Sequence, residues 1–335
     1  MNLQAIVIDS NIFGDINKYN FDDLRIKTFM NSIGGLDFVD KFMTSVVYDE
    51  LKKHIKDQIN SIHQYINSNG KYIQKYIDES IYESAYNKMI DNLNSFIDDY
   101  NIIIIDCNEY VNLSEVNDWY FNQQKPFEKS KPKEFPDAFT ISAINNYFKD
   151  SDYSVINVIS NDNGFRDGVV SHCCGNYKVY DSISSASKDL LNYDDKIVGK
   201  IFAYIKNHSE IFDSIKDLIL RGDEYNESDI MNIIDPTITD ITIIGTKENY
   251  VYAQVDIDVV LEGYFHMLDP FMSTYSKAEN EYLYIQYRSG NKIHLNNLST
   301  FMKITFGDKD ISDISLDGTS IISVDNIIDQ LECDD

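Results

Sequence analysis

Apolar and polar positions follow two different rhythms along the chain. Over the first two thirds, short continuous apolar runs alternate with stretches in which apolar residues return every three or four positions. After Asp235-Pro236 the period falls to two. Residues 5–8 (AIVI) form a continuous apolar run ending at Asp9, the pattern of a strand buried on both faces of a parallel sheet. Residues 42–47, 102–105 and 154–159 repeat that pattern, and residues 178–180 offer a further short strand. Val46, Leu51, Ile55, Ile59, Ile62 and Ile66 share helical spacing. A second long helix is predicted over about 72–98, with Gly70 separating the two. Pro136 suits the first turn of a helix reaching about residue 148, and residues 194–220 are again helical in pattern.

Strands that alternate with helices imply a parallel sheet with helices on both faces. The expected fold class is therefore α/β: a three-layer α/β/α domain over residues 1–190, then a helical linker over 191–235. A small, mainly antiparallel β domain follows over 236–332, read from ITDITIIGT, YVYAQVDIDVVLEGYF, EYLYIQYR and FMKITFG. Tyr250, Tyr252, Tyr282, Tyr284 and Tyr287 in these segments are expected as core and cross-strand pairs.

Candidate chemistry gathers at the strand ends of the first domain. In an open α/β sheet, ligands bind outside the carboxyl ends of the strands. Asp9 follows AIVI there, and Asp162 follows VINVISN. Asp137 stands at the head of the helix that Pro136 opens, and Glu50 in the early turns of the helix after the second run. Four acids projecting from one edge resist joint ionisation unless cations compensate them. Oxygen ligands of this kind suit one or two Mg²⁺ or Mn²⁺ ions. Such ions activate water and stabilise charge in phosphodiester hydrolysis. Asp167 is a further candidate ligand, and Asn11, Ser160 and Asn161 are candidates to support the site.

Charge narrows the choice of partners. The chain carries 29 Lys+Arg against 55 Asp+Glu, a net charge of −26, which argues against broad adhesion to nucleic acid. Residues 200–335 hold 10 Lys+Arg and 25 Asp+Glu, so the β domain is a poor nucleic-acid binder and is expected to bind a protein partner, self-associate or restrict access to the site. The densest basic stretch is QQKPFEKSKPKEFPD, residues 123–137, whose Lys125, Lys129, Lys131 and Lys133 are candidates to steer a phosphate backbone. No run is long and apolar enough for a membrane span, and MNLQAIVIDS has no basic segment before an apolar one, so a cytoplasmic chain is expected. Cys107, Cys173, Cys174 and Cys333 match no disulfide or zinc pattern and are expected as reduced thiols.

At its acids the chain resembles the PIN-domain family over about residues 1–185. VIDSNIF with Asp9 is similar to the family's opening strand and first acid, VVYDELKK with Glu50 to its helix-borne glutamate, KEFPDAFTISAI with Asp137 to its third acid, and VISNDNGF with Asp162 to its Ser/Thr-Asn-Asp motif. The approach to EFPDAF resembles a subgroup with an extended basic loop. The resemblance implies a Mg²⁺- or Mn²⁺-dependent ribonuclease, expected to cut RNA internally. It implies RNA over single-stranded DNA as substrate, and a toxin–antitoxin, RNA-processing or defence setting. The C-terminal β domain lies outside the common family pattern.

Each acid alone has a plain structural reading: a strand-end turn for Asp9, a solvated helix acid for Glu50, a dipole-favoured acid for Asp137 and an N-cap for Asp162. Two other functions compete. A haloacid-dehalogenase-type phosphatase needs a second Asp two residues after the first, where this chain has Asn11. A catalytically inactive scaffold of the same fold would bind partners without binding metal.

Overall fold

The structure is a computed structural model of the 335-residue chain. It describes residues 3–17, 19, 21, 24–36, 38–69, 78, 80–127, 134–191, 195–219, 227–247, 249–268, 272–276, 281–307, 310–319 and 331–333. The chain divides into two compact units, residues 1–191 and 192–335.

In the first unit five parallel strands, β1 (Gln4–Ile8), β2 (Val39–Thr44), β3 (Ile102–Ile105), β4 (Val155–Ile159) and β5 (Tyr177–Tyr180), form one sheet in the order β3-β2-β1-β4-β5. The central strand β1 shows why the sequence run is continuous. Ala5 and Val7 join a core with Phe42, Ile156 and Val158, while Ile6 and Ile8, which point the other way along the strand, are equally buried. Both faces are therefore covered, by α1 (Ser10–Asn17), α2 (Leu24–Gly34), α3 (Ser45–Asn69), α4 (Ser80–Asp99), α5 (Cys107–Tyr110), α6 (Leu113–Phe121), α7 (Phe135–Phe148), α8 (Asn163–His172) and α9 (Ile183–Leu191).

α7 is the buried helix of the unit. Ala138, Ile141, Ala143, Ile144 and Phe148 pack into the core, and a helix apolar on most sides has no solvent face to keep. Its buried hydroxyls are satisfied: Thr140 shares a 3.2 Å hydrogen bond with Thr44 at the end of β2, and Ser142 accepts the Asn112 N–H at 2.9 Å. Thr44 also accepts the Val47 N–H at 3.3 Å, so one hydroxyl ties the start of α3 to α7.

The second long helix, expected over about 72–98, is described from Ser80 to Asp99, and residues 72–77 and 79 lie outside the described residues. One stretch differs from expectation. α5 and α6 occupy a stretch to which the sequence assigned no element; at 4 and 9 residues they are too short for a periodicity to stand out.

The second unit holds α10 (Asp195–Asn207), α11 (Glu210–Ile219), β6 (Glu227–Lys247), β7 (Tyr250–Leu268), β8 (Thr274–Ser276), β9 (Glu281–Tyr284), β10 (Tyr287–Phe306), β11 (Ile311–Thr319) and β12 (Leu331–Cys333). An antiparallel sheet runs β11-β10-β7-β6 with β12 on β10, and β8 pairs separately with β9. Along β7, Val251, Ala253, Val255, Ile257, Val259 and Leu261 are buried, while Gln254, Asp256 and Asp258 between them face the other way.

The helices at 195–219 are not a bare linker. Ile201, Ile205, Ile211 and Ile215 are buried in one cluster with Val255, Ile257 and Met302, so they belong to this unit's core. The strand region also starts at Glu227, ahead of the change of period at Asp235-Pro236. β6 absorbs the proline in a register shift between Ile234 and Thr237, with Asp235 at φ 48°, because proline cannot donate to a ladder. Of the tyrosines expected as core, Tyr252 is fully buried, Tyr250 lies under Lys303 at 4.5 Å, and Tyr284 and Tyr287 are exposed. Tyr287 stacks on His266, and the side chain of Tyr282 lies outside the described set. No described helix is long and apolar enough to cross a membrane.

Candidate active site

The carboxyl ends of β1 and β4 meet side by side. Ile8 is in register with Ile159, and the ladder continues one step further, from the Asp9 N–H to the Ile159 carbonyl at 3.0 Å. Asp9 and Ser160 thus emerge next to each other, 6% and 0% exposed. The Ser160 hydroxyl donates to Asp9 Oδ2 at 2.7 Å, and the Ser10 N–H donates to Asp9 Oδ1 at 2.7 Å. Ser160 Oγ accepts from Asn11 Nδ2 at 3.0 Å and from the Asp162 N–H at 3.2 Å. Asn11 Oδ1 accepts the Asn161 N–H at 3.2 Å. Asn11, Ser160 and Asn161, the supporting residues expected from sequence, therefore lock the two strand ends together. Asn11 uses both ends of its amide in this lock.

The other acids arrive from helices. Glu50, half-buried in α3, accepts a 3.1 Å hydrogen bond from Ser10 Oγ. Asp162 is the N-cap of α8, its Oδ1 accepting the Phe165 N–H at 2.9 Å, so its plain structural role is present. Asp137 lies in the first turn of α7, where Pro136 gives up no needed N–H.

Electrostatics identify which acids face each other. Burial pushes Asp9 up to about 6, against the pull of its bonds to Ser160 and Ser10, with repulsion from Glu50 and Asp162 adding to the rise. Burial pushes Asp137 further, to about 8, reinforced by repulsion from Asp9, Glu134, Glu50 and Asp162. Burial also raises Glu50, opposed by its bond from Ser10 and assisted by repulsion from Glu134. Asp9, Glu50, Asp137 and Asp162 therefore share one field, and Glu134 is a fifth member that the sequence reading did not single out. The available signal was its position three residues before Asp137, as the N-cap of α7 with no side-chain capping bond.

Asp167 lies apart from this group. It pairs with Lys125 at 3.2 Å and does not contribute to the shifts of Asp9, Glu50 or Asp137. Lys129, Lys131 and Lys133 lie outside the described residues. Arg166, also not singled out, donates from Nη1 to the Ser160 carbonyl at 2.6 Å and from Nη2 to Asn163 Oδ1, fixing the turn that presents Ser160.

The donor set is chemically suited to a hard divalent cation: carboxylates whose mutual repulsion raises their proton affinity gain most from a compensating charge. Asp9 is already oriented by two donors that leave lone pairs on both oxygens, the arrangement in which outer hydrogen bonds aim a ligand. Among the described residues, no three His, Cys, Asp or Glu side chains stand close enough together to hold an ion as placed.

Residues 6–165 match the sequence model of one protein family, described as PIN domain. No curated protein and no solved structure matches the chain.

Proposed function

Because residues 6–165 belong to the PIN domain family, a nuclease fold, we propose that this unit is a Mg²⁺- or Mn²⁺-dependent ribonuclease that cuts RNA internally by hydrolysis at Asp9, Glu50, Asp137 and Asp162. What supports the reading is placement: Asp9 tied to Ser160 at the paired ends of β1 and β4, Glu50 bonded to Ser10 at 3.1 Å, and Asp137 in the first turn of α7, where burial and repulsion from Asp9, Glu134, Glu50 and Asp162 raise it. One or two ions held by these four carboxylates would lower the pKa of a bound water and stabilise charge on the phosphate. The chain's own residues aim the ligands. Ser160 and the Ser10 N–H fix Asp9, Ser10 Oγ turns Glu50 toward Asp9, and Asn11 clamps the strand ends at fixed separation. In the reaction water adds to phosphorus, the bond to the leaving sugar oxygen breaks, and that oxygen gains a proton. No covalent nucleophile is needed.

A second reading, an inactive scaffold that binds partners through the same fold, is favoured by one observation: the acids are not drawn into a ready chelate among the described residues. Metal dependence separates the two. Labelled single-stranded RNA and DNA are incubated with the protein in Mn²⁺, Mg²⁺ and EDTA, beside Asp9→Asn and Asp137→Asn. Cleavage of RNA in Mn²⁺ or Mg²⁺ alone, lost in both variants, is expected. An inert wild type that binds no metal supports the scaffold instead. The acidic β unit is proposed to engage a basic protein partner or a second copy, in keeping with its excess of Asp and Glu. A toxin or defence setting remains the biological role that the family resemblance suggests.

A further inference from the structure

Linked by ring contacts to the turn that carries Asp137 is an exposed aromatic edge that the chemistry above does not use. Phe121, the last residue of α6, is 77% exposed, and Tyr120 before it 38%. A phenylalanine this bare gains nothing for the fold. The Tyr120 ring contacts Phe121 at 5.3 Å and Phe135 at 5.1 Å. Phe135 opens α7, two residues before Asp137, so two ring contacts lead from the exposed ring to the turn that carries the acid.

The edge is braced from behind. The Gln124 N–H donates to the Trp119 carbonyl at 2.9 Å, Trp119 stacks on His172 at 4.1 Å, and His172 Nε2 meets the Lys125 carbonyl at 2.6 Å. From Phe121 the sequence runs directly into Lys125, first of four lysines before Asp137 in a chain of net charge −26. A bare ring four residues ahead of Lys125 in sequence, where the chain's densest lysine stretch begins, fits a polyanion with unstacked flat groups better than an apolar protein surface.

We propose that Phe121, backed by Tyr120, is a stacking platform for an unpaired base of single-stranded RNA whose neighbouring phosphate reaches the acidic cluster. The inference rests on the nuclease reading and adds to it a residue that contacts the substrate away from the acids, the Phe121 ring. In a duplex both faces of each base are already stacked.

The test uses the full-length Asp137→Asn protein, which holds RNA without cutting it, and a short single-stranded RNA carrying a fluorescent base analogue. With Phe121 intact, binding quenches the analogue. Phe121→Ala and Phe121→Leu, both harmless to folding at so exposed a site, weaken binding about tenfold and abolish the quenching, while Phe121→Trp preserves both. Weaker binding of a blunt duplex does not respond. Unchanged affinity and quenching in Phe121→Ala, in a protein whose wild type cleaves RNA, overturns the platform alone and leaves the ring to a protein partner. No RNA binding by any version and no cleavage by the wild type overturns the nuclease reading with it.

Discussion

The strand side and the helix side of the acidic cluster hold the same functional group in opposite ways. On the strand side, Asp9 is almost fully buried but held by two hydrogen bonds, which restrain its rise to about 6. On the helix side, Asp137 is less buried, accepts no hydrogen bond among those described, and takes repulsion from four acids, so it rises to about 8. Burial is the largest cause of both rises, and what separates the two is the pair of donors that restrains Asp9 and the wider repulsion that adds to Asp137.

The strongest way to break this contrast is to remove each charge in turn. Asp9→Asn and Asp137→Asn are each expected to cut RNA cleavage by at least about 10²-fold, read from initial rates in Mn²⁺. A variant that keeps wild-type rates removes that acid from the site.

Stability against pH sharpens the contrast next. Both carboxyls hold their proton more tightly when folded than when unfolded, so the stability they add is fully present below about pH 4 and is lost as the pH rises. For Asp9 the loss is complete near 6, and for Asp137 near 8. In EDTA, the melting temperature should fall through this window. Asp137→Asn should flatten the whole window and abolish the part above pH 6, whereas Asp9→Asn should flatten the part below pH 6 and draw the Asp137 limb to lower pH by removing its repulsion. Identical profiles for wild type and Asp137→Asn would refute the assignment.

Serine replacements give smaller effects. Ser160→Ala strips Asp9 of one donor and leaves Asn11 Nδ2 and the Asp162 N–H without their acceptor in a fully buried place, a cost of about 1–3 kcal/mol by denaturant unfolding. Ser10→Ala loses only a 3.1 Å bond to half-buried Glu50, about 0.5–1.5 kcal/mol. The reverse order would mean that the strand-end lock is not what holds Asp9.

Much of the first unit was legible in the sequence because burial on both faces leaves a continuous apolar signature: the run before Asp9 is β1 and the run before Ser160 is β4. Pro136 marked the head of α7 for the same kind of reason, a fixed local geometry. Glu134 and Arg166 were not legible, since one acts through space on Glu50 and Asp137 and the other through a backbone carbonyl, neither of which leaves a spacing pattern. Asp167 was only a further candidate in the sequence, and it pairs with Lys125 at 3.2 Å. In the second unit the alternation along β7 gave the antiparallel sheet. The partnership of α10 and α11 with that sheet was hidden, because helical periodicity shows that a face is buried without naming what buries it.

The most direct test is a calorimetric titration of Mn²⁺ into the wild type, Asp9→Asn and Asp137→Asn near pH 7.5. The wild type is expected to bind one or two ions and to release protons on binding, since burial and repulsion raise the proton affinity of Asp137, and both variants are expected to lose binding. Binding that is absent in the wild type, or undiminished in the variants, contradicts it.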